Sequence, residues 1–283
     1  MLTVLESLTL STDFLEKKGI ESPRLNAELL LAEILECKRL DLYLKFDQPL
    51  KENEVDKYRE WISRRGKFEP LQYITGKVEF YGLQFKVTRD VLIPRPETEI
   101  LVEEIIKFCK GKSGLKILDI GTGSGNIPIA LAKNLNGVQI TTVDVSDDAI
   151  EVAKENAVMN GVESEINFIL SDVNHYTTET DLFDIVISNP PYISAEEYPT
   201  LQKEITEYEP AIALTDLNDG LYFYRVISEK SKSFLKSGGN IFLEIGQGQK
   251  EDIEKILSAN EFTEIHFIKD YQQIDRVAIG EMK

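Results

Sequence analysis

A hydrophobic run, Asp184-Ile185-Val186-Ile187-Ser188, stops abruptly at Asn189-Pro190-Pro191-Tyr192. Proline gives no N–H to a strand ladder and fixes its own φ, so two in succession end the pairing and leave the preceding carbonyls free to face a ligand. A second candidate is Asp119-Ile120-Gly121-Thr122-Gly123-Ser124-Gly125-Asn126, which leads into the helical segment IPIALAKNL. Backbone N–H groups at that helix start can meet a ligand, and the glycines let it come close. A dinucleotide fingerprint needs G-x-G-x-x-G, whereas here the third glycine is Gly125 and position 126 is asparagine, so the spacing argues against NAD. The next strand ends at Asp144, where a carboxylate can accept both hydroxyls of a ribose. Taken alone, a glycine turn also fits a plain connection, and an aspartate at a strand end also fits a helix cap. Joined to the strand exits at Ser171-Asp172-Val173 and Asn189, they set four loops on the carboxyl edge of one sheet, where a nucleoside-like ligand fits.

The elements that must hold these loops follow from the periodicity. As far as about Phe68 the pattern is helical, with Leu25, Leu29, Leu30, Ile34 and Leu35 at three- and four-residue steps behind Ser22-Pro23, an N-cap and first-turn pair. A further helix is expected from about Glu52 to Arg65, ending in a basic cluster of Arg59, Arg64, Arg65 and Lys67 that fits either partner binding or a solvated face. Between residues 72 and 91 the period becomes that of strands, with runs at 78–81 and 83–87 around Gly82, which predicts a linking β-hairpin. Beyond Leu92, strand patterns (LKILDI, VQITTVDV, INFIL, FDIVISN, GNIFLEI, EIHFI, DRVAIG) alternate mainly with helical or loop-like segments. The fold class is therefore α/β, a Rossmann-like doubly wound sheet. The expected division is residues 1–70 as a small helical domain, 71–91 as the hairpin linker and 92–283 as the sheet domain.

The order of the glycine loop, Asp144, Asp172-Val173 and Asn189 resembles the class I S-adenosylmethionine-dependent methyltransferases. That resemblance implies that Gly121, Thr122, Gly123, Ser124 and Gly125 hold the cofactor's methionine end, that Asp144 holds its ribose and that Asp172 and Val173 flank its adenine. Asn-Pro-Pro-Tyr occurs in methyltransferases that act on a planar amino or amide nitrogen, whose delocalised lone pair makes it a poor nucleophile. By that resemblance the Asn189 oxygen and the Pro190 carbonyl bind both N–H groups, Pro191 fixes the geometry and the Tyr192 ring lies against the flat substrate. Two acceptors so placed orient the lone pair and stabilise the positive charge that develops, with no general base in the motif. QYITGKVEFYG (72–82), IPRPETE (93–99), LEIGQGQ (243–249), YEPAIAL and DGLYFYR are similar to segments of the release factor glutamine methyltransferases, the HemK/PrmC family. The likeness runs from about Arg64 to the C-terminus, and the helical bundle before it also fits.

Membership would make the substrate the glutamine N5 of a Gly-Gly-Gln loop in a peptide chain release factor, the donor S-adenosylmethionine, and the helical domain the holder of the partner. It would also set Phe80 and the 95–98 loop on the wall of the cofactor and substrate pocket. Where family members carry a glycine pair after EPxxAL, this chain has Thr215-Asp216-Leu217-Asn218 before Asp219-Gly220. Local chemistry leaves open an N6-adenine or N2-guanine amino group as the acceptor, and a non-catalytic cofactor-binding role is the rival from another class.

Composition bounds these readings. The 283 residues carry a net charge of −17, with 15 Lys/Arg against 16 Asp/Glu in residues 1–90 and 17 against 33 in the remainder. An acidic sheet domain discourages broad contact with nucleic-acid phosphates, so no direct nucleic-acid partner is expected. Cys37, Cys109, His175 and His266 are scattered without ligand spacing, so no metal is expected. No apolar run approaches about 20 residues and the start lacks a basic leader, which predicts a cytoplasmic protein with no membrane contact.

Overall fold

The computed structural model describes residues 2–178 and 182–283. They form two compact units, one of Met1–Lys77 with Gln202–Tyr208 and one of Val78–Leu201 with Glu209–Lys283. The first unit contains α1 (Val4–Lys17), α2 (Pro23–Ile34), α3 (Glu52–Arg65) and α4 (Leu71–Thr75). A reciprocal Thr3–Glu6 capping box starts α1. Pro23 opens α2 as expected, but Ser22 has φ 48 and its side chain makes no capping bond; a capping serine needs extended backbone. Leu25 and Leu29 also differ from expectation, being 43% and 38% exposed. The buried face of α2 is Ala27, Leu30 and Leu31, with Ile34 partly buried, an i, i+3, i+4, i+7 set displaced around the helix from the predicted one.

Two members of the basic cluster are consumed within this unit. Arg64 pairs in a fork with Glu69 at 2.8 and 2.9 Å. The buried Arg65 reaches Glu204 at 2.8 Å, Asn26 Oδ1 at 2.8 Å and the Glu69 carbonyl at 3.0 Å. Arg59 stays solvated.

The second unit is organised by one sheet. A hairpin of β1 (Lys77–Phe80) and β2 (Leu83–Lys86) is followed by α5 (Thr98–Cys109), β3 (Lys116–Ile120), α6 (Asn126–Asn134), β4 (Gln139–Asp144), α7 (Asp147–Asn160), β5 (Ile166–Leu170) and β6 (Phe183–Ser188). After α8 (Lys203–Tyr208), which packs with the first unit, come α9 (Tyr222–Phe234), β7 (Leu235–Glu244), α10 (Lys250–Ala259), β8 (Phe262–Lys269) and β9 (Asp275–Met282). The order of the seven-stranded sheet is β5-β4-β3-β6-β7-β9-β8, parallel from β5 to β7, with β9 antiparallel to both neighbours.

Successive residues of the central strands enter opposite cores. Ile117, Ile185, Ile187 and Phe242 join the layer of α5 and α6, while Leu118, Val186, Ile241 and Leu243 join that of α9 and α10. Burial on both faces is why these strands read as unbroken apolar runs. The hairpin is fastened by Asn156 of α7, whose Oδ1 accepts from Lys86 N at 2.7 Å while Nδ2 donates to the carbonyls of Lys86 and Ser124 at 3.0 and 2.8 Å. One buried amide therefore ties the hairpin to the glycine loop.

Candidate active site

Strand register sets the site. Ile120 lies level with Val143 and Ser188, and Asp144 with Leu170, so the residues that follow emerge together at one edge. The chain turns from β3 towards β4 on one side and places β6 on the other, and this switch point opens a cavity of about 250 Å3. Its wall includes Gly121, Thr122, Gly123, Ser124, Asp144 and Asp172. It continues with Val173, Asn189, Pro190 and Pro191, and with Arg95 and Thr98 from the loop that enters α5.

Gly121 and Gly123 hold positive φ, and a Cβ built on either would meet no atom within 4 Å apart from those of its chain neighbours. The loop backbone thus presents itself to the cavity without side-chain cover. Asp144 is held at both oxygens, Oδ1 by the N–H of Ser146 and Oδ2 by that of Gly123, each at 2.9 Å. The carboxylate is oriented while its remaining lone pairs stay available. Asp172 is fixed by the backbone and side-chain amides of Asn174, both at 2.8 Å, and the backbone bond leads in holding its carboxyl below the usual range.

Three predicted residues fall elsewhere. Phe80 is buried in the core with its ring 6.0 Å from that of Phe85, edge to face, and does not line the cavity. An apolar side chain beside a turn glycine reads the same in sequence whether it faces core or ligand. Gly125 caps α6 at φ 79, and a Cβ there would come within 2.9 Å of Ile129 and 3.1 Å of Ala153, so it serves helix packing. The Tyr192 ring is off the cavity wall, so close to Gly246 that a Cβ there would lie 3.0 Å from its Cδ2, and burial raises its phenol pKa.

The Asn189 turn is braced from behind. Gln249 donates to the carbonyls of Tyr192 and Gly220 at 3.0 and 3.3 Å, and its Oε1 accepts from Gly246 N at 2.9 Å. The loop that departs from the family pattern is ordered by Asp216, which accepts from the N–H groups of Asn218, Gly220 and Tyr222. Glu209 holds the opposite wall by accepting from Ile93 N at 3.2 Å and pairing with Arg95.

Arg95 and Thr98 line the cavity as the 95–98 loop was expected to, whereas sequence reasoning missed Asp119 and Glu244 as members of the site. Asp119 is fully buried under the glycine loop and accepts from Thr142 Oγ1 at 2.6 Å. Thr122 acts on it electrostatically, yet Asp119 Oδ1 and Thr122 Oγ1 make no hydrogen bond of normal geometry. Burial raises its carboxyl from 3.8 to about 7. A folded-state pKa above the unfolded one gives stability that is complete below the unfolded value and is lost as pH rises through the folded value. Wild-type protein without ligand should therefore lose stability relative to Asp119→Asn as pH rises from 3.8 through about 7. Urea unfolding of both forms at either end of that window measures this, and identical pH slopes would contradict it.

A seven-stranded sheet of this order, with a glycine loop and an acidic strand end around its switch point, defines a class I methyltransferase fold. Among solved structures, a methyltransferase of Pyrococcus furiosus, 18% identical, superimposes with a TM-score of 0.52 over 71% of this chain and 90% of its own. Residues 6–76 match the PrmC N-terminal domain and residues 96–212 the Methyltransferase small domain. A release factor glutamine methyltransferase of Fusobacterium nucleatum is 42% identical over 96% of this chain and 77% of its own length. One of Chlorobaculum tepidum is 39% identical over 97% and 95%. The chain belongs to the release factor glutamine methyltransferase family.

Proposed function

We propose that this protein transfers a methyl group from S-adenosylmethionine to the side-chain amide nitrogen, N5, of the glutamine in the Gly-Gly-Gln motif of a peptide chain release factor. The observation that carries the reading is the state of Asn189 on the cavity wall. Its Nδ2 is engaged by Thr98 Oγ1 at 3.2 Å, which leaves Oδ1 as the end available to a substrate N–H.

The residues present fit the donor. Asp144 offers an oriented carboxylate to ribose hydroxyls, Asp172 and Val173 border the adenine position, and the bare glycine backbone suits a close-lying methionine moiety. Thr122, whose buried Oγ1 has no hydrogen-bond partner, lines the cavity where the methionine end would lie, a buried polar atom of the kind a zwitterionic ligand satisfies. When bound, S-adenosylmethionine supplies an electrophilic methyl on a sulfonium centre. The chain's own work is to accept both amide N–H groups, one on Asn189 Oδ1 and one on the Pro190 carbonyl, which turns the nitrogen lone pair towards the donor side. The same acceptors stabilise positive charge as it develops on nitrogen. The nitrogen gains a methyl and gives up one proton to solvent, which it does readily once alkylated, so no buried base is needed.

A glutamine side chain is common to every protein, so selectivity must lie outside residues 189–192. Paired glycines let a substrate backbone enter a narrow cleft, and the helical unit binds the rest of the release factor. The net charge of −17 and the commitment of Arg64 and Arg65 to ion pairs within their own unit favour a protein partner over a nucleic acid. Incubation with methyl-labelled donor tests the reading. A folded release factor should be labelled, an isolated Gly-Gly-Gln peptide much more slowly, and a release factor with glutamate at that position not at all. Ready labelling of ribosomal RNA or DNA with the release factor left unlabelled would overturn it.

A further inference from the structure

We propose that Thr98 and Glu244 are positioning residues that fix which end of the Asn189 side-chain amide faces the reacting nitrogen. The inference rests on the reading above, in which Asn189 Oδ1 accepts a substrate N–H.

The two ends of an asparagine amide are nearly identical in shape but opposite in hydrogen-bonding sense. With Nδ2 turned inwards, Asn189 would present a donor to a donor and repel the substrate. Something in the protein must therefore select the orientation. The direct partner of Nδ2 is Thr98 Oγ1 at 3.2 Å. A hydroxyl can donate or accept, so threonine alone would tolerate either orientation.

Glu244, the last residue of β7, removes that ambiguity. It is 3% exposed and itself off the cavity wall, and the parallel pairing of Ser188 with Leu243 sets it at the strand exit next to that of Asn189. The Thr98 hydroxyl and the Asn189 amide both act on its carboxyl as donors, although Oε2 makes no hydrogen bond of normal geometry. An ionised carboxylate only accepts. It draws the Thr98 proton towards itself, so the hydroxyl turns its lone pairs to Nδ2, and Oδ1 is left for the substrate. A buried carboxylate short of partners is otherwise a costly element at a strand end, and its polarity gives it a reason to be there.

That sense survives only while Glu244 is charged, because a protonated carboxyl gains a donor of its own. Burial raises this group from 4.5 to about 7, opposed first by Thr98 and later by Asn189. Glu97 before α5 raises it further and Arg276 of β9 lowers it. The phenols of Tyr192 and of Tyr224 on α9 also face it, and the Tyr224 hydroxyl donates to the Glu244 backbone carbonyl at 3.0 Å. The amide is then held correctly above neutrality and released as pH falls through it.

The test compares wild type with Glu244→Gln, Thr98→Val and Thr98→Ser. Measured are kcat and KM for the release factor across the neutral range, donor affinity by calorimetry, and the isotope-labelled Asn189 side-chain amide by NMR, assigned with Asn189→Ala. Glu244→Gln and Thr98→Val should each lower kcat at least about tenfold, with donor affinity and KM much less affected. Thr98→Ser, which keeps the hydroxyl, should recover most of what Thr98→Val loses. The wild-type acid limb in kcat should be absent from Glu244→Gln, and the Asn189 amide signal should shift in both Glu244→Gln and Thr98→Val. Unchanged kcat, a parallel collapse of donor affinity, or an acid limb that persists in Glu244→Gln would overturn the assignment. A wild type inactive on the release factor, whose Asn189 amide still shifts on Glu244→Gln, would overturn the substrate reading and support the orientation.

Discussion

Asn189→Ala is expected to lower turnover at least about a hundredfold while donor binding falls far less, because the lost oxygen orients and stabilises the reacting nitrogen. The side chain sits at the exit of β6 on the cavity wall with its nitrogen end already taken by Thr98. Alanine removes the acceptor, and the Pro190 carbonyl alone holds the amide by one N–H, leaving it free to rotate. Asn189→Asp keeps an acceptor but loses the donor that Thr98 engages, and sets a second carboxylate near the buried Glu244. Its turnover should also fall. Single-turnover kinetics at saturating donor separate chemistry from binding, and near-full rates in both variants would refute the proposed mechanism.

Asp144→Ala should act on the opposite partner. Removing a charged acceptor from buried hydroxyls costs about 1.5–3 kcal/mol, a loss in donor affinity of roughly ten- to a hundredfold. The substitution also frees the N–H groups of Gly123 and Ser146, which Asp144 now holds at 2.9 Å, so the glycine loop loses a brace together with the ligand contact. Asp144→Asn separates these effects, since it keeps one acceptor for one of the two N–H groups and removes the charge. Calorimetry should rank affinity as wild type, then Asn, then Ala. Unchanged affinity in the alanine variant would remove Asp144 from the binding site.

The legible part of this protein is the part written in local chemistry. β3, β4, β5 and β6 stand out because each is a short apolar run stopped by glycine, aspartate or proline, and those stops are themselves the loops that line the cavity. The insertion of β9 between β7 and β8 was not legible, because antiparallel return depends on pairing across the sheet and leaves no spacing signal. On α2 the stripe read from Leu25, Leu29, Leu30, Ile34 and Leu35 is displaced, since packing against α1 and α3 buries Ala27 and Leu31 while leaving Leu25 and Leu29 outside. The basic cluster at the end of α3 fitted either partner binding or a solvated face, and its internal pairing was hidden because the acid that pairs with Arg65, Glu204, lies far along the chain. Thr98 and Glu244 were missed as partners of Asn189 for the same reason. Each belongs to a different element, and only the sheet brings a helix start and two strand ends to one point. A weak hint existed in Glu244, a charged residue set between the apolar Leu243 and Ile245 of LEIGQGQ.

The most direct test of the central claim is to locate the methyl group. Purified protein, S-adenosylmethionine and a folded release factor are combined, and the product is fragmented by tandem mass spectrometry. The account predicts a single added methyl on the side-chain nitrogen of the glutamine that follows two glycines. A methyl on any other residue, or an unmodified release factor beside a methylated adenine or guanine in an RNA or DNA control, would contradict it.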